Sequence, residues 1–220
     1  MSKMQLLSNE QLAELAFAAL ANARRLYDDA LLLREAGRAP SAFVLLGLAA
    51  DELGKHMLVV AFPTRGNSDE QWRKFWRRMN SHEEKLGNAL LAAWLLDPFQ
   101  LGDPPDRSAF HKQRLSATYV DFRNAGLQEP DTAINRVALD SAFGSIGPHL
   151  AYCERILSRT DPAALATSMQ RARESQAARS DGNDANDRYS SLAFAMAVAY
   201  GANEDEAAHF ASVMVDHFPR

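Results

Sequence analysis

An all-α fold, a helical bundle with a C-terminal helical extension, follows from three features of the sequence. Of its 220 residues, 47% are hydrophobic, mostly Ala and Leu with few β-branched runs, a composition that favours helix over strand. Apolar positions recur at three-and-four spacing over long windows, and cap and breaker residues bracket those windows. The length suits one substantial core plus an appendage. Residues 1–160 are therefore expected to form the bundle and residues 161–220 the extension, and no sheet is needed.

The first helix is expected over 8–35, started by a capping box of Ser8 and Gln11 and closed by Gly37 and Pro40. Residues 40–62 form the second, with Pro40 in its first turn and Pro63 just past its end. A third helical region over 68–97 carries Trp72, Phe75, Trp76 and Met79, then His82, Leu86, Ala89 and Leu90. It either runs unbroken or stops at Asn80-Ser81 and restarts, because Ser81-His82-Glu83-Glu84 is a second capping box. From Asp97 to Pro130 the periodicity fades, and an ordered excursion with a short helix near Ser108–Ser116 is expected, packed by Phe110, Leu115, Tyr119, Val120 and Phe122. Asp131 is placed to cap a helix over 131–159, kinked at Gly147-Pro148, and Asp161-Pro162 to start a polar helix that ends near Ala178. A polar, glycine-containing linker at 179–188 then leads to two short helices, Tyr189–Tyr200 and Glu204–His217.

A formal charge of -4 argues against a surface that grips nucleic acid over its whole extent but leaves room for a local basic patch. A single cysteine, Cys153, excludes an intramolecular disulfide and a cysteine zinc cluster. The N-terminus lacks the pattern of a signal peptide and no apolar run approaches the roughly 20 residues of a membrane span, so a soluble, cytoplasmic protein without a membrane partner is expected.

The most informative stretch is the second helix. Leu45, Leu48, Ala49, Glu52, Lys55, His56 and Val59 follow one helical face, which puts Glu52 and Lys55 where apolar residues belong. Buried charges require partners, and His82 and Lys85, also three apart, are the expected ones. Two such helices packed together would form a charged cluster, read either as an ion network that sets helix register or as an acid, a base and cations for a phosphate. Just before His82 lie Arg73, Lys74, Arg77 and Arg78, either a solvated face or a basic patch. Arg73, Lys74, Arg114 and Tyr119 are the candidate RNA-binding residues. Glu52 and His56 lack the second matching pair of a di-metal bundle, and neighbouring lysines would repel a dication, so no metal or other cofactor is expected. Neither a nucleophile elbow nor a phosphate-binding glycine loop is present.

Four segments in order, Asn22 with LYDDALLLREAGRAPSA, LGLAADELGKHMLV, FWRRMNSHEEKL and KQRLSATYVDF, resemble the AbiV-type abortive infection family of the HEPN superfamily, over about residues 10 to 160. The resemblance implies a HEPN-like helical bundle acting in phage defence, in a superfamily where many members are dimeric ribonucleases that use an Arg and a His a few residues apart. Arg77 and His82 match that arrangement, while Glu52, Lys55 and Lys85 fall on the family's own motif positions. Arg78 departs from it, since the residue after the arginine is often uncharged or acidic in such ribonucleases.

Two readings follow. In the first, the protein is an antiphage effector that acts on RNA or translation as a metal-independent ribonuclease, with His82 as general acid or base and Arg77 or Arg78 on the phosphate. It would be a homodimer, with Trp72, Phe75 and Trp76 either at the interface or in the bundle core, controlled by a phage-encoded trigger or an antitoxin protein. In the second, the protein is a non-catalytic interaction module, a toxin or regulator, whose Glu/Lys/His cluster is structural.

Overall fold

In a computed structural model, the described residues are 5–65, 67–96, 106–123 and 126–179. They form α1 (Asn9–Glu35), α2 (Ala39–Ala61), a 3-10 turn (Phe62–Arg65), α3 (Asp69–Met79), α4 (His82–Leu96), α5 (Arg107–Thr118), a hairpin of β1 (Asp121–Arg123) and β2 (Gly126–Gln128), α6 (Pro130–Ala133), α7 (Arg136–Leu157) and α8 (Pro162–Arg179). The architecture is all-α, as the periodicity predicts, and agrees with the HEPN-like bundle that the resemblance implies.

Local chemistry explains most of the boundaries. Ser8 and Gln11 exchange side-chain-to-backbone hydrogen bonds as a capping box, and Gly37 closes α1 at a φ of 73°, where a Cβ would be strained. Of the two forms open to the third helical region, the structure has the broken one: Ser81 Oγ accepts from the Glu84 N–H, and α4 restarts at His82. Asp161 caps α8 through the Ala164 N–H. Asp131 does not cap α7, which is capped by Asn135; Asp131 lies inside the short α6, which opens at Pro130. The proline supplies a preset φ one residue earlier, and that shifts the start.

The hairpin is an addition to the expected fold, pairing Phe122 with Leu127 and Arg123 with Gly126. Its apolar residues do not serve as anchors: Tyr119, Val120 and Phe122 are exposed, Phe122 to 70%. Phe110, stacked on Phe43 with centroids 4.9 Å apart, and Ala117 hold α5 in their place. The expected linker at 179–188 starts where α8 ends; its remainder and the helices beyond lie outside the described residues.

The chain forms two compact units. Among the described residues, one draws on 5–17, 57–77 and 155–179. Here Phe62, Trp72 and Phe75 form a buried cluster with centroid distances of 4.4 to 5.6 Å. Trp76 packs on Phe75 and donates its indole N–H to the Gln5 carbonyl. Of the three aromatics, Trp72 and Phe75 are buried in the core of their own unit while Trp76 is half-buried, because α3 alternates them with Arg and Lys at helical spacing. In the same unit α8 packs on the 3-10 turn, and Gln170 meets Asn9.

The other unit comprises Ala18–His56 and Arg78–Glu154. Tyr27 packs edge-on against Phe143, while Arg24 pairs with Glu154 and Arg34 with Asp140, which fixes α1 on α7. At Gly54 the backbones of α2 and α4 approach so closely that a methyl group would overlap the Lys85 carbonyl. His149 on α7 is buried, its Nδ1–H donating to the Ala89 carbonyl of α4 at 3.1 Å. Burial, reinforced by the charge of the buried His56, lowers the His149 pKa to about 4 against the opposing Ala89 bond.

Gly54→Ala should cost about 3 kcal/mol in urea unfolding through overpacking, with Gly144→Ala as its control. Gly144 is helical with open space around it, so its replacement should stabilise by about 0.5–1 kcal/mol. The lowered His149 pKa sets a pH dependence. Between its unfolded value near 6.5 and its folded value near 4, the unfolded chain binds the proton more readily, so stability falls as pH drops through that window, by about 3 kcal/mol in all. Urea midpoints at pH 7 and 4.5 should separate less in His149→Leu than in the parent.

Candidate functional site

Gly47, Asp51 and Gly54 lie at helical spacing of four and three on one face of α2. The two glycines admit neighbouring chains: α4 at Gly54, and at Gly47 the side chains of Arg114 and Phe110 from α5, where a Cβ would collide with the arginine stem. Between them, the Asp51 carboxylate becomes the floor of a site with α4 and α5 as its walls.

Asp51 is buried, with its side chain 4% exposed. Its Oδ2 accepts two hydrogen bonds of 2.6 Å, from Arg114 Nη1 and from His82 Nδ1. Arg114 is itself buried and also reaches the Gly47 carbonyl and, through Nη2, His111 Nδ1 at 3.2 Å. The rings of His82 and His111 lie 6.4 Å apart with planes within 14° of parallel. The His82 side chain, in contrast to the pair beneath it, is 53% exposed. An ionised carboxylate only accepts, so His82 carries its proton on Nδ1 and leaves Nε2 as the atom able to exchange one with a substrate.

The structure distributes the expected site residues differently. Glu52 and Lys55 pair with each other at 2.5 Å and are only partly buried; the buried acid is the preceding residue, Asp51. Almost every position from Leu53 to Pro63 is buried, so α2 has no single dry stripe, and periodicity could not say which of two adjacent carboxylates points inward. Lys85, one turn after His82 on α4, is buried, and its side chain makes no hydrogen bond or ion pair among the described residues. His56, the other half of the rejected metal pair, is fully buried.

Arg78 donates to Glu84 at 3.1 Å and to Asn88 at 3.3 Å, clamping the start of α4. Arg77 and Arg73 are exposed on α3, and Lys74 pairs with Glu70. Of the candidate RNA-binding residues, Tyr119 is exposed, whereas Arg114 is committed to Asp51 beneath the surface. Asp51 and His111 were not among the expected residues. The glycines bracketing Asp51 and the three-residue spacing of His111 and Arg114 were the available signals. Among the described residues no group of three His, Cys, Asp or Glu side chains is placed to hold a metal ion.

The sequence profile of HEPN_AbiV, described as AbiV, matches residues 11–145, which contain every residue of this site. The chain belongs to the AbiV family. Membership supports an abortive-infection, HEPN-type function for this AbiV-family chain. No curated protein and no solved structure matches it. No helix among the described residues is long and apolar enough to cross a membrane.

The two partners of Asp51 should differ in stability cost. Arg114→Met strips a buried carboxylate of its cation and should destabilise the protein by about 3–5 kcal/mol. His82→Ala removes a half-exposed ring while Arg114 remains, and should cost less than about 1 kcal/mol. Thermal or urea unfolding of the two variants checks the ranking.

Proposed function

We propose that this AbiV-family protein is an abortive-infection effector that cleaves RNA by acid–base catalysis at His82. The observation that carries the reading is the half-exposed imidazole held at 2.6 Å by a buried, arginine-paired carboxylate. Such a carboxylate orients the ring, selects its tautomer and steadies the imidazolium formed when Nε2 takes up a proton.

In the proposed reaction, His82 Nε2 removes the proton of a ribose 2′-hydroxyl. The oxygen attacks the adjacent phosphorus, and the P–O5′ bond breaks. The proton is returned to the departing O5′, leaving a 2′,3′-cyclic phosphate and a free 5′-hydroxyl. Protein side chains supply every group that this sequence of steps requires. Control by a phage-encoded trigger or an antitoxin protein, and assembly as a homodimer, belong to the same proposal.

The second reading, a non-catalytic interaction module, draws on the exposed apolar hairpin with Tyr119, Val120, Phe122 and Leu127. A protein partner seated there would carry the biology, and the Asp51 network would be structural.

The purified protein should release cyclic-phosphate ends from RNA, with activity unchanged in excess EDTA. His82→Ala should lower cleavage and growth arrest by about 100-fold or more at nearly unchanged melting temperature. If the module reading holds instead, His82→Ala keeps growth arrest and Phe122→Asp abolishes it.

A further inference from the structure

We propose that His111 is a second catalytic residue of this site, donating its Nε2–H to a non-bridging oxygen of the phosphodiester, with Arg114 as the positioning residue that sets its tautomer; this rests on the ribonuclease reading of His82.

The inference comes from the direction of the hydrogen bonds. A guanidinium carries five donors and no acceptor and does not lose its proton in proteins. Arg114 is buried and anchored to Asp51 at 2.6 Å, with Nη2 3.2 Å from His111 Nδ1. His111 Nδ1 must therefore accept, which makes the ring neutral and places its proton on Nε2. The same ion pair imposes the opposite tautomer on His82, whose Nδ1 donates to Asp51. One buried Arg–Asp pair thus presents two different imidazoles: a bare Nε2 on α4 and an Nε2–H on α5.

Their separation suits a shared substrate. The ring centroids lie 6.4 Å apart with nearly parallel planes, a gap that hydrogen bonds of about 2.8 Å to opposite edges of one phosphate can bridge. A neutral imidazole is a poor acid toward an alkoxide, because losing Nε2–H would leave an imidazolate. His111 therefore does not protonate the leaving group; it holds negative charge as it develops on the phosphoryl oxygens, a task for a preorganised donor. The proton balance remains with His82. Among the described residues, the charged and titratable groups facing His111 are Arg114 on its own helix, His82 from α4 and Asp51 from α2, which meets it through Arg114.

The test uses the full chain and an RNA oligonucleotide. His111→Ala should lower kcat by about 100-fold or more, the scale for a lost oxyanion donor, with melting temperature and the shape of the pH–rate profile retained. His111→Gln, which restores an N–H donor that does not titrate, should recover at least tenfold of that loss. Full activity in His111→Ala, or loss of the alkaline limb of the profile in both variants without rescue by Gln, would overturn the assignment. A binding arm separates this from the reading of His82. In the parent, the histidine 15N spectrum should show His111 as the Nε2–H tautomer, and a 2′-O-methyl oligonucleotide, which cannot be cleaved, should shift that resonance. An unshifted resonance overturns the inference whatever the cleavage result, whereas a shift without any cleavage rejects the ribonuclease reading and leaves His111 as a phosphate-binding residue.

Discussion

A single carboxylate, that of Asp51, organises the bundle unit. An ion of this kind loses several kcal/mol of hydration when buried, so it persists only where donors are delivered from other elements. Arg114 from α5 and His82 from α4 both reach its Oδ2. Neither would be in range if α2 carried side chains at Gly47 and Gly54, where the arginine stem and the α4 backbone pass. The glycines give up helix propensity in exchange for close approach, and this close approach sets the geometry of the polar cluster.

The arrangement places the ion pair and the imidazole at different depths. Arg114 and Asp51 are nearly inaccessible, and His82 stands half in solvent above them. Buried ion pairs contribute little net stability but resist rearrangement, since breaking one strands a charge. A proton-transfer residue benefits from such a base, because its ring orientation and tautomer are settled before substrate arrives. Arg78 and Glu84 add a clamp at the first turn of α4, on the same helix end that carries His82. The exposed cations of α3 belong to the unit that holds the Phe62, Trp72 and Phe75 cluster.

The exposed hairpin has a different character from the surfaces around it. Tyr119, Val120, Phe122 and Leu127 follow directly on α5, the helix that supplies Arg114 and His111. Whatever meets the hairpin acts on an element with a part in the Asp51 network, so control of the site by a partner would not need a distant relay.

The sequence by itself determined the helical class, most helix starts and His82 as a residue of interest, because caps, breakers and three-and-four spacing are local properties encoded within a few residues. Ser8, Ser81 and Asp161 act as their neighbours predict. Only the tertiary structure decided which charges meet. Asp51 and Glu52 are adjacent in the chain and about 100° apart around α2, and α2 is covered on so many sides that its pattern names no inward direction. The pairing partners lie 31 and 63 residues away, brought in by helix crossings set at two glycines. A long-range contact of that kind leaves no periodic trace in the sequence, so the pattern of α2 does not separate Asp51 from Glu52, and that of α5 does not place His111 beside α2 and α4.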